Sequence, residues 1–239
     1  DEIRQRLVGS GAPSPDEVLQ HASRLLSEIT QHAAVIVAPD PALARFGHIE
    51  FVPMRGGKLL VLKEDGLPYE LDPDTLETKG LWNYEGAMTS EWISAHPKID
   101  MATDELFTFA YQAKGDASRD FAYYVIGADG RIKHEVWFEM PFACNVHDFG
   151  VTQDWVIFPF YPLITDLEVL KAGGPFYEWH RDQATWFAVM PRFGKKEQIR
   201  WFKGEPCFAA HVMNAFQDGS MLHFDCDMQA VGWQWFPNR

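Results

Sequence analysis

The run FAYYVIGADGRIKHEVWFEM, residues 121–140, constrains the fold more than any other stretch. Two segments rich in aromatic and β-branched residues flank a Gly-Ala-Asp-Gly step. That pattern specifies an antiparallel hairpin, because Gly and Asp tolerate the backbone that a tight turn needs. The same texture recurs in ELFTFAYQA (105–113), DWVIFPFYP (154–162), TWFAVMPRFG (185–194) and MLHFDCDM (221–228). Turn signals punctuate the chain between them: DGLP, DPDT, GADG, KAGG and QDGS. Many short strands with recurrent hairpins make this part of the chain all-β, as a barrel, a sandwich or a propeller; periodicity does not choose among them.

The first sixty residues read differently. In APSPDEVLQHASRLLSEITQHAAVIVAP (12–39), Ser14 is placed to cap a helix, with Pro15 at its first position and Glu17 three residues after the cap. Val18, Leu19, Ala22, Leu25, Leu26 and Ile29 recur at helical spacing, so the segment predicts an amphipathic helix ending near His32. AAVIVAP then reads as a buried strand closed by Pro39, and HIEFVPM and GGKLLVL as two strands around a Gly56-Gly57 turn. The change of texture within KLLVLKEDGLP sets the expected domain boundary, with an α/β segment over 1–62 and a β domain over 63–239.

Charge and cysteine usage narrow the function classes. With 21 basic against 34 acidic residues, a formal charge of −13 argues against a nucleic-acid surface. Cys144, Cys207 and Cys226 are widely spaced with no CxxC pair, which suits reduced thiols in the cytoplasm better than a disulfide framework. No apolar run approaches the ~18 residues of a membrane span, and the N-terminal DEIRQRLVGSG lacks the pattern of a signal peptide.

Of the nine histidines, His21, His32, His48, His134 and His223 sit in ordinary helix or strand contexts and read as structural, while His180 lies in a polar loop. His96, His147 and His211 differ. Each stands where an apolar run meets a polar or turn-forming step: ISAHPKID, CNVHDFG and FAAHVMNAF. They are too far apart in sequence to share a helix or hairpin, but a closed β architecture can deliver one inward-facing end from each of several strands to a common axis. Neutral imidazoles suit divalent iron, zinc or copper.

The motifs around these histidines carry a family resemblance. KEDGLPYELDPDTLET (63–78), TSEWISAHPKID (89–100), VHDFGVTQDWVIFPFYPL (146–163) and CFAAHVMNAFQDG (207–219) resemble, in order and spacing, the carotenoid cleavage oxygenases, above all the lignostilbene dioxygenases among them. The resemblance covers about residues 62–239. It implies a seven-bladed β-propeller with Fe(II) on its axis, and oxidative cleavage by O₂ of a carbon–carbon double bond in a small aromatic or polyene substrate, giving two carbonyl products. Carried over position by position, His96, His147 and His211 match three of four iron-ligand histidines. Glu64 matches a carboxylate that hydrogen-bonds a ligand histidine, fixing its tautomer and aim. Lys63 matches a lysine that engages the substrate's phenol.

The pattern also departs from the family. The fourth histidine lies near the end of full-length members and has no counterpart before Arg239, and the first part of the propeller is replaced. The expected fold is therefore a partial seven-bladed β-propeller preceded by a short α/β segment, with iron-dependent turnover impaired by truncation. The replacing segment, LLSEITQHAAVIVAPDPALARFGHIEFVPMRGGKLLVL, resembles the central domain of heat-inducible transcription repressors over about residues 1–62. This resemblance supports a rival expectation: a non-catalytic regulatory module in which that segment makes a homodimer and the β part is a scaffold.

Overall fold

A computed structural model of the chain describes residues 49–54, 58–64 and 66–229. The helix and strand expected over 12–39 lie outside these residues. The chain divides between Gly47 and His48, and everything described belongs to the second unit.

That unit is built from short antiparallel strands. The first sheet runs in chain order through β1 (Ile49–Met54), β2 (Lys58–Lys63), β3 (Tyr69–Leu71) and β4 (Thr78–Leu81). The second runs through β5 (Lys98–Asp100), β6 (Glu105–Tyr111), β7 (Asp120–Ile126) and β8 (Ile132–Glu139). The third begins with β9 (Gly150–Val151) and β10 (Trp155–Phe160). The chain then leaves through β11 (Leu163–Ile164), a short helix α1 (Leu167–Lys171) and β12 (Glu178–Trp179), where β11 and β12 form a small sheet of their own. It returns to complete the third sheet with β13 (Thr185–Pro191) and β14 (Arg200–Gly204). A last hairpin joins β15 (Phe208–Asp218) to β16 (Met221–Gln229).

The hairpin predicted over 121–140 is β7–β8. Gly130, at φ +78°, donates its N–H to the Gly127 carbonyl at 2.8 Å, closing the turn with a backbone that disfavours side-chain-bearing residues. The strands expected around Gly56-Gly57 are β1 and β2. Leu59 to Val61 of β2 pair with Tyr69 to Leu71 of β3, so the expected boundary at 62/63 falls inside one hydrogen-bonded sheet. The texture changes there because the connection after β2 is rich in turn residues, while the ladder continues across it.

Alternation explains how the sheets pack. Side chains in a strand point alternately to opposite faces, yet β6 and β7 are buried almost throughout. Their odd-numbered residues, Phe107, Phe109, Phe121, Tyr123 and Val125, join one core with Val156, Phe158, Phe160, Ala188 and Met190 of the third sheet. Their even-numbered residues, Leu106, Ala110, Ala122, Tyr124 and Ile126, join a second core with Val52, Leu60 and Leu62 of the first sheet. The second sheet is thus covered on both faces by its neighbours, the arrangement by which propeller blades bury their surfaces. Phe158 stands at the centre of the first core, with ring centroids 4.9 Å from Phe121, 5.4 Å from Tyr123 and 5.5 Å from Phe149.

Pro159 lies inside β10, where a proline costs a ladder bond. It is accommodated because β9 pairs with β10 only at Val156 and Ile157. Between the sheets, Arg192 provides a polar link. Its Nε donates to the Thr152 carbonyl at 2.5 Å and its Nη1 to Asp100 Oδ2 at 2.6 Å, with the guanidinium 4.7 Å over the Phe107 ring.

Two outcomes are expected from this packing. Phe158→Ala removes the ring shared by this core and lowers unfolding free energy by about 3–5 kcal/mol, read from chemical denaturation. Asp100 is held below the usual carboxylate range by its bond to Arg192 and by the Ala102 N–H. A depressed pKa stabilises the fold above the unfolded value, and that contribution is lost as pH falls through the folded one. The melting temperature of Asp100→Asn therefore lies below wild type near neutrality, and the gap closes on acidification; thermal melts across the acid range measure it.

Candidate metal centre

The three sheets and the last hairpin deliver their polar residues to one place. Glu64 immediately follows β2. His96 lies two residues before β5, His147 three before β9, and His211 within β15. Each histidine therefore marks the entry of the chain into a new sheet.

The structure brings all three imidazoles together. One ligand atom from each of His96, His147 and His211 lies within 4.8 Å of the others, a group that could hold a metal ion. The ring centroids of His96 and His147 are 4.3 Å apart, and those of His211 lie 5.4 Å from His96 and 5.1 Å from His147. His96 Nε2 and His147 Nε2 are separated by 2.9 Å. Two nitrogens bound at right angles to one ion, each at roughly 2.1 Å, would stand about 3 Å apart, so this spacing fits shared coordination. The donor set also fits a borderline divalent metal such as iron or zinc.

Glu64 orients the set. Its Oε2 accepts from His147 Nδ1 at 2.5 Å, which leaves Nε2 of that ring facing His96. Burial pulls the His147 pKa down, but the Glu64 hydrogen bond and the charges of Glu64, Asp148 and Asp227 outweigh it, so the net shift is upward. The other oxygen, Oε1, accepts from the Tyr111 hydroxyl at 2.8 Å. Asn145 Nδ2 donates in turn to Tyr111 Oη at 3.1 Å and lies 3.4 Å from Tyr177 Oη. Burial, with the neighbouring Tyr177 and Glu64 adding to it, pushes the Tyr111 hydroxyl well above its ordinary range, and burial raises Tyr177 to about 12. Both tyrosines are therefore neutral, and Tyr111 keeps the proton it donates to Glu64.

Backbone contacts hold the other two histidines. The His96 N–H donates to Ser94 Oγ at 3.0 Å, and that hydroxyl reaches the His147 carbonyl at 3.4 Å. The His211 N–H donates to Asp227 Oδ1 at 2.7 Å, across the hairpin.

Lys63 is exposed at the end of β2, beside Glu64 in sequence, with its stem over Gly66, where an added Cβ would stand 3.3 Å from Lys63 Cε. The remaining described histidines do not join the cluster. His134 Nε2 bonds the Gly194 carbonyl at 3.0 Å, His223 stacks on Phe216 at 4.3 Å, and His180 is exposed after β12. Tyr111, Asn145, Tyr177 and Asp227 were not legible as site residues. Tyr111 looks like any aromatic in ELFTFAYQA, and nothing local says that its hydroxyl meets Glu64.

Stacked four-stranded antiparallel sheets that direct histidines to a common point make a mainly β protein with a candidate metal centre. The family model described as retinal pigment epithelial membrane protein, RPE65, matches residues 10–237. The chain belongs to this family, that of the carotenoid cleavage oxygenases, and the match includes most of the 1–62 segment for which a repressor-like origin was expected. It is 46% identical over 169 residues to an isoeugenol monooxygenase of Pseudomonas nitroreducens, covering 71% of this chain and 35% of that protein. With lignostilbene-alpha,beta-dioxygenase isozyme III of Sphingomonas paucimobilis it shares 38% identity over 177 residues, 73% of this chain and 36% of that one. The crystal structure of lignostilbene dioxygenase from Pseudomonas brassicacearum matches with a TM-score of 0.75 and 36% identity, over 91% of this chain and 47% of that one. The chain thus spans 35–36% of the length of these two curated relatives.

Removing one hydroxyl tests the support behind Glu64. Tyr111→Phe leaves Oε1 without its donor and weakens metal binding severalfold, less than the roughly 10–100-fold loss expected for Glu64→Ala. Metal titration of the two variants measures the order.

Proposed function

We propose that this chain carries the metal centre of an Fe(II)-dependent oxygenase that cleaves the carbon–carbon double bond of a stilbene- or phenylpropene-like phenol. The observation that carries this reading is the convergence of His96, His147 and His211 with Glu64 bonded to His147 Nδ1. The named activities of the relatives, acting on isoeugenol and on lignostilbene, support the substrate class. The centre belongs to a partial seven-bladed propeller, the architecture that the stacked sheets and the lignostilbene dioxygenase structure favour.

His96, His147 and His211 would hold the iron, which supplies the activation of O₂ when bound. Overall, one O₂ and one alkene become two carbonyl compounds, each former alkene carbon taking one oxygen. Glu64 keeps the His147 tautomer fixed, so that ring binds without reorganising. Lys63 engages the phenol: an ammonium favours the phenolate, whose charge pushes electron density toward the double bond. The buried Tyr111, Asn145 and Tyr177 hold Glu64 while remaining neutral. Such an enzyme needs only O₂ and a small aromatic substrate as partners, and the reading places it in the cytoplasm. Among the described residues no helix is long and apolar enough to cross a membrane.

Iron analysis and product detection test the reading together. The chain loaded anaerobically with Fe(II) is expected to bind one iron, and His147→Ala to lose it. Cleavage of isoeugenol or a 4-hydroxystilbene to aldehydes should vanish in the same variant. Iron retained by His147→Ala, or a wild-type chain that takes up none, would overturn it.

A further inference from the structure

Asp148 joins the three histidine-bearing segments through a single buried carboxylate. Its side chain is only 3% exposed. Oδ1 accepts from Lys98 Nζ at 2.7 Å and from the Phe149 N–H at 2.8 Å, and Oδ2 accepts from the Val212 N–H at 2.8 Å. Lys98 lies two residues after His96, Asp148 directly follows His147, and Val212 directly follows His211. One side chain thus contacts the chain next to every histidine of the cluster.

The strand geometry explains why Val212 is available. The pairing of β15 with β16 shifts register between Ala209 and Val212, and again between Val212 and Asn214. Such a bulge bends the strand and interrupts its ladder. At this irregularity the His211 N–H goes to the Asp227 carboxylate and the Val212 N–H to Asp148. Lys98 also spans the gap, with Nζ 5.9 Å from the Phe149 ring centroid. Burying a carboxylate is costly unless charged and polar donors surround it; here a lysine and two backbone N–H groups do so.

We propose that Asp148 is a positioning residue for the metal centre: it clamps the segments bearing His96, His147 and His211 in one mutual geometry, without ligating the ion itself. This inference rests on the metal-binding reading above and adds the group that makes three separate segments act as one ligand set. Glu64 aims a single ring, whereas Asp148 sets the spacing among all three.

Co(II) titration of the metal-free 239-residue chain tests it, because the visible bands of Co(II) report coordination geometry. Wild type, Asp148→Asn and Lys98→Met are compared for affinity, band shape and the rise in melting temperature on loading. Asp148→Asn cannot accept at both oxygens, and is expected to bind Co(II) about 10–100-fold more weakly, with altered bands and a smaller metal-induced rise. Lys98→Met keeps both backbone bonds and should show a measurable loss of no more than about tenfold. A merely structural Asp148 would lower the melting temperatures of the free and loaded protein alike, leaving affinity and bands at wild-type values. That result overturns the proposal while the metal centre stands. Absence of Co(II) binding by wild type overturns both. Should Asp148→Asn fail to fold, wild-type affinity and bands in Lys98→Met overturn the clamp, and weakened binding with altered bands supports it.

Discussion

The two-faced burial of the β5–β8 sheet is the interaction on which the rest depends. A sheet with one wet face could end its strands anywhere along a polar surface. This one places Phe107, Phe109, Phe121 and Tyr123 against the third sheet, and Leu106, Ala122 and Tyr124 against the first. A shift of one residue in β6 or β7 would exchange the two sets and mismatch both cores. Register is therefore fixed from both sides, and so are the strand ends from which the chain departs toward the histidines. The precision of the centre derives from apolar packing some distance away from it.

At the centre itself, polar groups take over where ladders stop. The strands that follow His96 and His147 are brief, three residues in β5 and two in β9. Side chains meet backbone N–H groups in this region: Ser94 for His96 and, at the irregular pairing within β15, Asp227 for His211 and Asp148 for Val212. The same bonds that satisfy the backbone also orient the imidazoles, so folding and ligand placement are one requirement.

Much of this was legible in the residues. The Gly-Ala-Asp-Gly turn specified β7–β8, and the alternating aromatic runs marked β6, β10 and β13, because turn chemistry and period-two patterning act locally. The three histidines were legible through the motifs around them. What escaped is nonlocal. The placement of β1 and β2 in the first sheet depends on pairing between β2 and β3, across a change in composition that reads like a boundary. Tyr111 and Asp227 act through atoms that meet only after the sheets have stacked. Asp148 stood in plain view beside His147, but its reach to Lys98 and Val212 is a property of three separate segments at once.

Gly150 has a consequence of its own. A Cβ there would come within 2.9 Å of Ala215 and Phe224, so the last hairpin lies directly on β9 at this point. Three residues earlier, His147 faces His211 of the same hairpin. The stretch from 147 to 150 is thus gripped at both ends and works as a ruler between two parts of the molecule. Its length carries information that its composition does not: an inserted or deleted residue here would move the histidine relative to the hairpin, while the loop around KAGG at 171–174, outside both grips, has no such standard to keep.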